Sequence, residues 1–399
     1  MGEAFRVSRR STLRGAAGAA ALGLAGRPAF GLAQGATPVA TPVADLGTPL
    51  WQVASGNGLT YGTSLATWQA DDPDYLRIVD REAAILFTED DLLWWRLKPT
   101  PDAELDFQYA DRFYEIAESQ GQLVLAAHLV WDEGFGEGWT DEDIWGLDET
   151  AARSLLFDTL DAMVTRYQGR TAAWIVVNEM IDAHEADGMR RDYPWYETVG
   201  PSFAEEAFFA AQEADPGALL ILNEFGFETD DEFDAAADKR EKALIVIDNL
   251  LAADVPVQAL GVQAHLDAAD FAARFDADAY RQFLADVASR GLKILITEMD
   301  VLDDGLPADV APRDAAIAEA YATYLDAALD EPELAAVITF GLSDRYTWLQ
   351  EDYPREDGAE RRPLLFDADL QPKPAYAAVK GALGAAPPRQ SLWRAPREG

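Results

Sequence analysis

The sequence has no cysteine and only three histidines, His128, His184 and His265. Without a thiol, the chain cannot form a disulfide, use a thiolate nucleophile or bind zinc through cysteine. Three histidines are also few for a histidine-rich metal centre. We therefore expect neither a metal nor a cofactor, and the carboxylates become the first candidates for catalysis.

Basic residues are scarce as well: 32 Lys and Arg stand against 71 Asp and Glu, which gives a formal net charge of −39. Binding to nucleic acid requires Lys and Arg to neutralise phosphates, so nucleic acid is a poor partner for this chain. An anionic membrane surface is disfavoured for the same reason. A neutral polysaccharide meets no such objection, and most of the charge is expected to form a solvated surface.

Long apolar runs are missing except near the N-terminus, where Arg9 and Arg10 precede the Ala- and Gly-rich stretch Gly15–Ala25. Twin arginines before a weakly hydrophobic run are typical of a twin-arginine export signal. The run is too short and Gly-broken for a membrane anchor, and no cysteine follows it for lipid attachment. We expect residues 1–36 to be an export signal and residues 37–50 a flexible linker. The mature chain is expected to be a secreted monomer with no membrane partner.

From about residue 59 onward, short apolar runs alternate with amphipathic stretches. The strand candidates are Leu59–Ser64, Ala84–Thr88, Leu123–Val130, Ala173–Asn178, Leu219–Asn223, Leu260–Ala264, Lys293–Thr297 and Ala336–Phe340. The helix candidates include Phe107–Gln120, Glu149–Tyr167, Phe203–Ala214, Ala243–Ala253, Ala279–Arg290, Ala315–Leu329 and Lys373–Leu383.

Eight strands, each followed by a helix, predict an α/β fold, a (β/α)8 TIM barrel. We expect it to form a single domain over residues 51–385, followed by a C-terminal tail over residues 386–399. An open doubly wound sheet is the structural alternative. Such a sheet normally has a Gly-rich phosphate turn after its first strand, and this sequence has none there.

Four of the predicted strands end alike, with a polar residue and then a glutamate: Glu89, Glu179, Glu224 and Glu298. The carboxyl ends of barrel strands converge on the active-site mouth, so these four side chains are expected to gather there. A single Glu after a strand is usually a loop residue or a helix cap, but four on one chain favour a function.

Two carboxylates that face each other are what cleavage of a glycosidic bond requires. One protonates the departing oxygen, while the other attacks or stabilises an oxocarbenium-like centre. A separation of ~5–5.5 Å between the carboxyl groups indicates retention of configuration, and ~6.5–9.5 Å indicates inversion. A barrel enzyme that holds a divalent ion through Glu89, Glu224 and Glu298 is an alternative, since such ions bind oxygen ligands.

Aromatic side chains cluster in the loops that follow the predicted strands. Sugar rings present apolar C–H faces that stack on aromatic planes, so this concentration favours a sugar-lined cleft. The residues concerned are Trp131, Trp139, Trp145, Trp195, Tyr196, Tyr346 and Trp348.

The order and content of these motifs resemble glycoside hydrolase family 10, the endo-β-1,4-xylanase family. The likeness spans roughly residues 59–383. The segments that carry it are Trp174–Glu179, Pro194–Pro216, Gly261–Leu266, Ile296–Val301 and Pro363–Tyr376.

The resemblance implies that Glu179 is the general acid/base and Glu298 the nucleophile of a retaining enzyme. It further implies that Asn178 hydrogen-bonds the sugar 2-hydroxyl and that His265, backed by Asp300, orients the nucleophile. On the glycone side, three positions match a sugar-binding glutamate and aromatic walls: Glu89, Trp131 and Trp348.

The glycone side also carries the departures from the family pattern. Asp90 and Leu93 stand where the family usually has Asn and Lys, and Phe340 stands where it has Trp. An ungapped match places Ala127 at a sugar-binding His, His128 at a Thr and Asp132 at a second His. Because strand residues alternate sides, His128 is not expected to replace a histidine at 127 without a change of register.

Three functions follow from these residues. The first is a retaining β-glycanase that cleaves xylan or a related β-1,4 glycan. The second is a glycan-binding descendant of the same fold with little or no catalysis, which the altered glycone side would explain. The third is the metal-dependent barrel enzyme described above, which a chelator would inhibit.

Overall fold

The computed structural model describes residues 46–231 and 234–393. Strands from this part of the chain, all parallel to their neighbours, run in the order β1 to β6, then β8 and β9, and β9 pairs with β1. These eight strands therefore close a barrel, as predicted. The strands are β1 (Thr60–Leu65), β2 (Ile85–Thr88), β3 (Leu123–Ala126), β4 (Ala173–Asn178), β5 (Leu219–Glu224), β6 (Ala259–Val262), β7 (His265–Asp267), β8 (Lys293–Leu302) and β9 (Leu334–Thr339).

Helices follow the barrel strands, and short helices lie in the loops at the carboxyl ends of the strands. They are α1 (Leu50–Ser55), α2 (Pro73–Glu82), α3 (Trp94–Leu97), α4 (Gln108–Ser119), α5 (Asp141–Trp145), α6 (Glu149–Arg166), α7 (Pro194–Thr198), α8 (Phe203–Ala214), α9 (Ala236–Ala252), α10 (Phe271–Arg274), α11 (Ala277–Ser289), α12 (Val310–Ala328), α13 (Leu349–Asp352) and α14 (Pro374–Ala385). In the described residues, no helix is long and apolar enough to cross a membrane.

Most predicted elements agree with the structure to within a few residues. Strand β4 and helix α8 have the predicted bounds. Strand β3 was predicted to reach Val130 but ends at Ala126, and β8 runs five residues past Thr297 to Leu302. The short strand β7, which pairs with the extension of β8, was not predicted. All three differences occur at the barrel mouth, where chain segments that are distant in sequence meet.

Two hydrophobic clusters divide the core. Residues of alternate strand positions, such as Ile175, Ile221 and Leu295, form the smaller cluster that fills the barrel. The larger cluster holds their neighbours together with the inward faces of the helices. Strand side chains point alternately to the two faces of the sheet. The cluster to which a strand residue belongs therefore shows whether the side chains that follow it point into the barrel or towards the helices.

An irregularity in β4 changes this alternation close to its end. The register with β5 shifts between Ile175 and Val177, and Val176 and Val177 both belong to the outer cluster. A bulge of this kind re-aims the residues that follow it. Asn178 therefore points into the barrel mouth rather than towards the helices.

The described ends of the chain pack beside and below the barrel. The Lys380 ammonium donates to the carbonyl of Leu46 at 2.6 Å, and the Arg389 guanidinium donates to the carbonyl of Leu334 at 3.0 Å. The predicted export signal (1–36) and most of the predicted linker (37–50) lie outside the described residues. Helix α1 begins at Leu50, the last residue of that predicted linker.

Candidate active site

The four glutamates at strand ends do not all lie at the barrel mouth. On β5, Leu220 and Leu222 belong to the outer cluster, so the alternation also turns Glu224 outward. There its carboxylate lies 3.2 Å from the Lys239 ammonium of α9 and accepts the backbone N–H of Ile181 at 2.8 Å. The prediction that all four glutamates gather at the mouth is therefore wrong for Glu224, whose fully buried ion pair is structural.

Glu179 directly follows β4, and Glu298 lies within β8. Three amide side chains connect their two carboxyl groups. The Gln263 amide donates to Glu179 Oε1 at 2.9 Å and lies 3.3 Å from Asn178 Oδ1. The Asn223 amide donates to Asn178 Oδ1 at 2.8 Å and to Glu298 Oε1 at 2.7 Å. The oxygen of Asn178 accepts both bonds, so its NH2 group is turned to the opposite side, where it is able to donate to a ligand.

Neither Asn223 nor Gln263 was predicted to belong to the site. Both are buried, with no exposed surface. Asn223 directly precedes Glu224 and points inward by the same alternation that turns Glu224 outward. A pattern search for charged groups at strand ends selects the glutamate and passes over the amide before it, although the amide is the residue that reaches the mouth.

The second oxygen of Glu298 faces His265. His265 Nε2 lies 3.5 Å from Glu298 Oε2, and its Nδ1 lies 2.8 Å from Asp300 Oδ1. The Trp348 indole N–H donates to the other oxygen of Asp300 at 2.7 Å. Burial alone would lower the pKa of His265, but the carboxylates of Asp300 and Glu298 outweigh it and raise that pKa to about 10. The imidazolium is therefore the form present at neutral pH, and it orients the Glu298 carboxylate.

Glu179 has an unusual backbone conformation. Its φ angle is +58°, a left-handed conformation that non-glycine residues adopt rarely and that recurs at active sites. The carbonyl of Glu179 accepts a hydrogen bond from Arg190 Nη1 at 3.0 Å. Arg190 also pairs with Asp132. The end of β4 is thus held from the side by a buried cation.

Glu89 lies at the mouth as predicted and is held by hydrogen bonds from two side chains. Ser64 Oγ donates to its Oε2 at 2.7 Å, and the Gln69 amide donates to its Oε1 at 3.0 Å. Burial and the neighbouring Asp90 nevertheless raise the pKa of Glu89 to about 8. Asp90 itself accepts the Trp68 indole N–H at 3.2 Å.

The positions that depart from the family pattern have identifiable neighbours. Ala127 is buried in the barrel interior, while the His128 ring lies 4.9 Å from the Trp131 ring and 5.9 Å from the Phe87 ring. The Ala127–His128 peptide is cis. Strand β3 has already ended at Ala126, so the strict alternation on which the expectation for His128 was based does not extend to this residue.

Phe340, at the position of a family tryptophan, still supplies an aromatic wall. Its ring lies 5.9 Å from the His265 ring, nearly perpendicular to it, and 6.4 Å from the Trp348 ring. The Leu93 side chain, at the position of a family lysine, borders the same loop as Trp131: a Cβ built on Gly134 would meet both side chains. The lysine donor is therefore replaced by apolar surface.

Four of the seven aromatic residues predicted to cluster fall into two groups. Trp131 and Trp348 lie at the mouth, beside His128 and His265. Trp195 is fully buried and Trp139 is 8% exposed, and both pack around Trp94. These two residues form the core beneath the loop that carries Trp131 and do not line the predicted sugar cleft.

The proposed divalent-ion site is not supported by the geometry. Within the residues that the structure describes, no group of three or more His, Cys, Asp or Glu side chains is arranged to hold a metal ion. Glu224 points away from the mouth, whereas Glu89 and Glu298 are each held by their own hydrogen-bond donors. The three predicted oxygen ligands therefore do not converge.

A closed parallel barrel with two carboxyl groups at its mouth, connected by amide side chains, is typical of barrel hydrolases. Comparisons with known proteins show to which family the chain belongs. The family model Glycosyl hydrolase family 10 matches residues 50–382. Since that match covers most of the chain, the protein belongs to glycosyl hydrolase family 10.

Individual relatives agree with this assignment. Endo-1,4-beta-xylanase B of Thermotoga neapolitana is 30% identical over 316 residues, which are 78% of this chain and 84% of the relative. The thermostable celloxylanase of Thermoclostridium stercorarium is 30% identical, over 71% of this chain and 74% of the relative. Xylanase 10B of Thermotoga petrophila RKU-1, solved in complex with xylobiose, superposes with a TM-score of 0.73 at 29% identity, covering 84% of this chain and 97% of that one.

Proposed function

We propose that this protein is a retaining endo-β-1,4-glycanase that acts on xylan, with Glu179 as general acid/base and Glu298 as nucleophile. The observation that carries the proposal is the network of amide side chains that connects the two carboxyl groups at the barrel mouth. Both oxygens of Glu298 face N–H groups, from Asn223 and His265, which hold the carboxylate in one orientation. The Gln263 amide donates to Glu179 Oε1, and in the proposed reaction the Glu179 carboxyl group faces the leaving oxygen.

The reaction proceeds in two displacement steps. In the first, Glu298 attacks the anomeric carbon while Glu179 gives its proton to the departing glycosidic oxygen, so the aglycone leaves as an alcohol. In the second, Glu179, now a carboxylate, takes a proton from water as that water displaces Glu298 from the sugar. Two inversions at the same carbon leave the product with the configuration of the substrate.

Asn178 and His265 assist without exchanging protons with the substrate. The Asn178 NH2 group is presented by Asn223 and Gln263 to donate to the sugar 2-hydroxyl, a bond that strengthens in the transition state. His265 and Asp300 keep the Glu298 carboxylate aligned with the anomeric carbon, which supplies the orientation that such a displacement requires.

Xylan is the substrate that the relatives support, since the similar proteins include xylanases and one that was solved with xylobiose. Glu89, Trp131 and Trp348 would hold the glycone sugars, by hydrogen bonds and by stacking on their C–H faces. The celloxylanase among the relatives makes β-1,4-glucan the first alternative to include in a test. The enzyme would act as a monomer on one polysaccharide chain at a time.

The test is an assay of the purified protein on xylan, cellulose and mannan, with the Glu298→Ala variant as control. We expect new reducing ends and short oligosaccharides from xylan, released from inside the chain, and no release by the variant. If neither xylan nor another β-1,4 glycan releases product, the proposed function is wrong. Binding to xylan without release would identify a glycan-binding descendant instead.

We further propose that the protein is secreted by the twin-arginine route, on the strength of Arg9, Arg10 and the apolar run that follows. The folded part contains no cysteine and so needs no oxidising compartment to fold, which suits export of a folded chain. Replacing both arginines by lysine should keep the protein in the cytoplasm with its first 36 residues uncleaved. Unchanged export of that variant would argue against the route.

A further inference from the structure

Asp132 and Arg190 form a buried ion pair next to Glu179. Their side chains are 6% and 12% exposed. Arg190 Nη2 bonds Asp132 Oδ2, and its Nη1 lies 3.5 Å from Asp132 Oδ1, so the guanidinium meets the carboxylate with two nitrogens. A buried pair of this kind costs much desolvation and does not by itself argue for stability. A reason for its presence is therefore to be sought in what it contacts.

The pair contacts the backbone that carries the acid/base. Arg190 Nη1 donates to the Glu179 carbonyl at 3.0 Å, and the guanidinium lies over the Tyr193 ring, 5.2 Å from its centroid. The Tyr193 hydroxyl in turn donates to the carbonyl of Asn178 at 2.8 Å. Two consecutive peptide carbonyls at the end of β4 thus accept hydrogen bonds from neighbouring groups: the Glu179 carbonyl from Arg190 and the Asn178 carbonyl from the Tyr193 hydroxyl.

We propose that Arg190, held in place by Asp132, is a positioning residue for the acid/base Glu179. The inference rests on the proposed function. Glu179 has a left-handed backbone, which the surrounding structure must maintain, and the bond from Arg190 to its carbonyl does so. Asp132 stands where glycosyl hydrolase family 10 usually has histidine. In this chain, an ion pair between Asp132 and Arg190 holds the backbone of the acid/base.

Several titratable side chains interact electrostatically with Glu179, and they lie on separate segments of the chain. Asp132 follows β3, Arg190 and Tyr193 lie in the loop before α7, Glu224 ends β5, and Glu298 is connected through the amide side chains. Glu133, next to Asp132, acts on the Asp132 carboxylate. Glu224 is balanced by Lys239. Asp132 and Arg190 are an anion and a cation that pair with each other and oppose each other's effect on Glu179.

Because the two charges of the pair oppose each other, removing one of them should change the pH dependence of kcat/KM as well as the stability of the fold. Burial, with Glu179 and Glu133 adding to it and Arg190 opposing, raises the pKa of Asp132 to about 7. Removing the anion by Asp132→Asn leaves the Arg190 cation uncompensated, which favours the carboxylate form of Glu179. The alkaline limb of the kcat/KM profile, which follows loss of the acid's proton, should then move to lower pH by about half a unit or more.

Removing the cation tests the positioning itself. Proton donation matters for a poor leaving group and not for a good one, so two substrates report on Glu179 separately from the rest of the site. In Arg190→Gln, kcat/KM for a phenyl β-xylobioside should fall by about tenfold to 100-fold. The value for the 2,4-dinitrophenyl β-xylobioside should stay within about threefold, since that leaving group departs unprotonated.

The neighbouring arginine supplies a matched control. Arg191 pairs with Asp187 and Glu185 and stacks on Tyr196, without a bond to the β4 end. Arg191→Gln should change neither the leaving-group ratio nor the pH profile. If Arg190→Gln does not fold, the double variant Asp132→Asn/Arg190→Gln, which leaves no unpaired buried charge, carries the leaving-group test.

The outcomes separate this inference from the proposed function. A loss confined to the phenyl substrate, with the shifted alkaline limb in Asp132→Asn, supports the positioning role. Equal losses on both substrates, or an unshifted limb in Asp132→Asn, overturn it while the enzyme remains an active glycanase. If the unchanged protein cleaves neither substrate, it is the proposed function that fails.

Discussion

Asn223 donates a hydrogen bond from its side-chain amide to Glu298 Oε1 at 2.7 Å. The same amide group donates to Asn178 Oδ1 at 2.8 Å, and its own oxygen accepts the Thr297 hydroxyl at 2.7 Å. The Asn223 side chain therefore cannot turn over without losing these bonds. It fixes Glu298, the proposed nucleophile, and also Asn178, which is proposed to bind the sugar 2-hydroxyl.

Replacing Asn223 by Ala should lower kcat with little change in KM. The bond to a charged group is worth ~1.5–3 kcal/mol, so we expect kcat to fall by about tenfold to 100-fold. Steady-state kinetics on xylo-oligosaccharides measures the effect. Asn249→Ala, at an exposed position of α9, is the control and should behave as the unchanged enzyme. A kcat within twofold in Asn223→Ala would contradict the role given to this amide.

A single methyl group on the neighbouring strand should have a similar effect. A Cβ placed on Gly261 would lie 2.1 Å from Asn223 Oδ1, so Gly261→Ala must displace the amide from its bonds. We expect kcat to fall in the same range as for Asn223→Ala, and the two substitutions together to cost little more than either one. Gly381→Ala, where a Cβ meets nothing within 4 Å, should leave kcat unchanged. Additive losses in the double variant would show that Gly261 acts elsewhere.

The ion pair outside the barrel, Glu224 with Lys239, should govern stability. Breaking a buried pair by removing one partner typically costs ~3–5 kcal/mol, and Lys239→Ala also loses the bond to the Ile181 carbonyl, 2.7 Å long. Urea unfolding should show a loss of that order. Arg77→Ala breaks an exposed pair with Asp74 and should cost below about 1 kcal/mol. Equal losses in the two variants would mean that burial of the Glu224 pair is unimportant.

His265 gives the site a pH-dependent contribution to stability. Its pKa in the folded protein is raised to about 10 by Asp300 and Glu298, above the ordinary value of about 6.5 expected on unfolding. The contribution is thus full below about pH 6.5 and is lost as the pH rises through about 10. NMR titration of the imidazole should give the raised value in the unchanged protein and a lower one in Asp300→Asn. An ordinary pKa in the unchanged protein would contradict the pairing.

The sequence was sufficient for the barrel because eight apolar runs with intervening helices admit few other folds. Motif order distinguishes Glu179 and Glu298 from the other two glutamates, and their choice as the catalytic pair stays a prediction. Glu224 could not be separated by motif spacing. Its outward direction depends on the alternation along β5, whereas a bulge in β4 resets the direction of Asn178.

The supporting residues were harder to predict. Gln263 and Asn223 are uncharged, and their importance depends on which side chains meet across three strands. Asp132 was noted only as a departure from the family pattern, and nothing in the sequence links it with Arg190, 58 residues away. Contacts between distant loops at the mouth are decided by packing, which local patterns do not encode.

The most direct test of the central claim, that Glu179 and Glu298 act as a retaining pair, is the anomer released at first. Proton NMR should follow the hydrolysis of a xylo-oligosaccharide from its first minutes, before mutarotation equilibrates the product. If the two glutamates act as a retaining pair, the new reducing end appears first in the β configuration, and Glu298→Ala releases none. Initial appearance of the α anomer would contradict it, because a single displacement by water would then have replaced the two-step reaction.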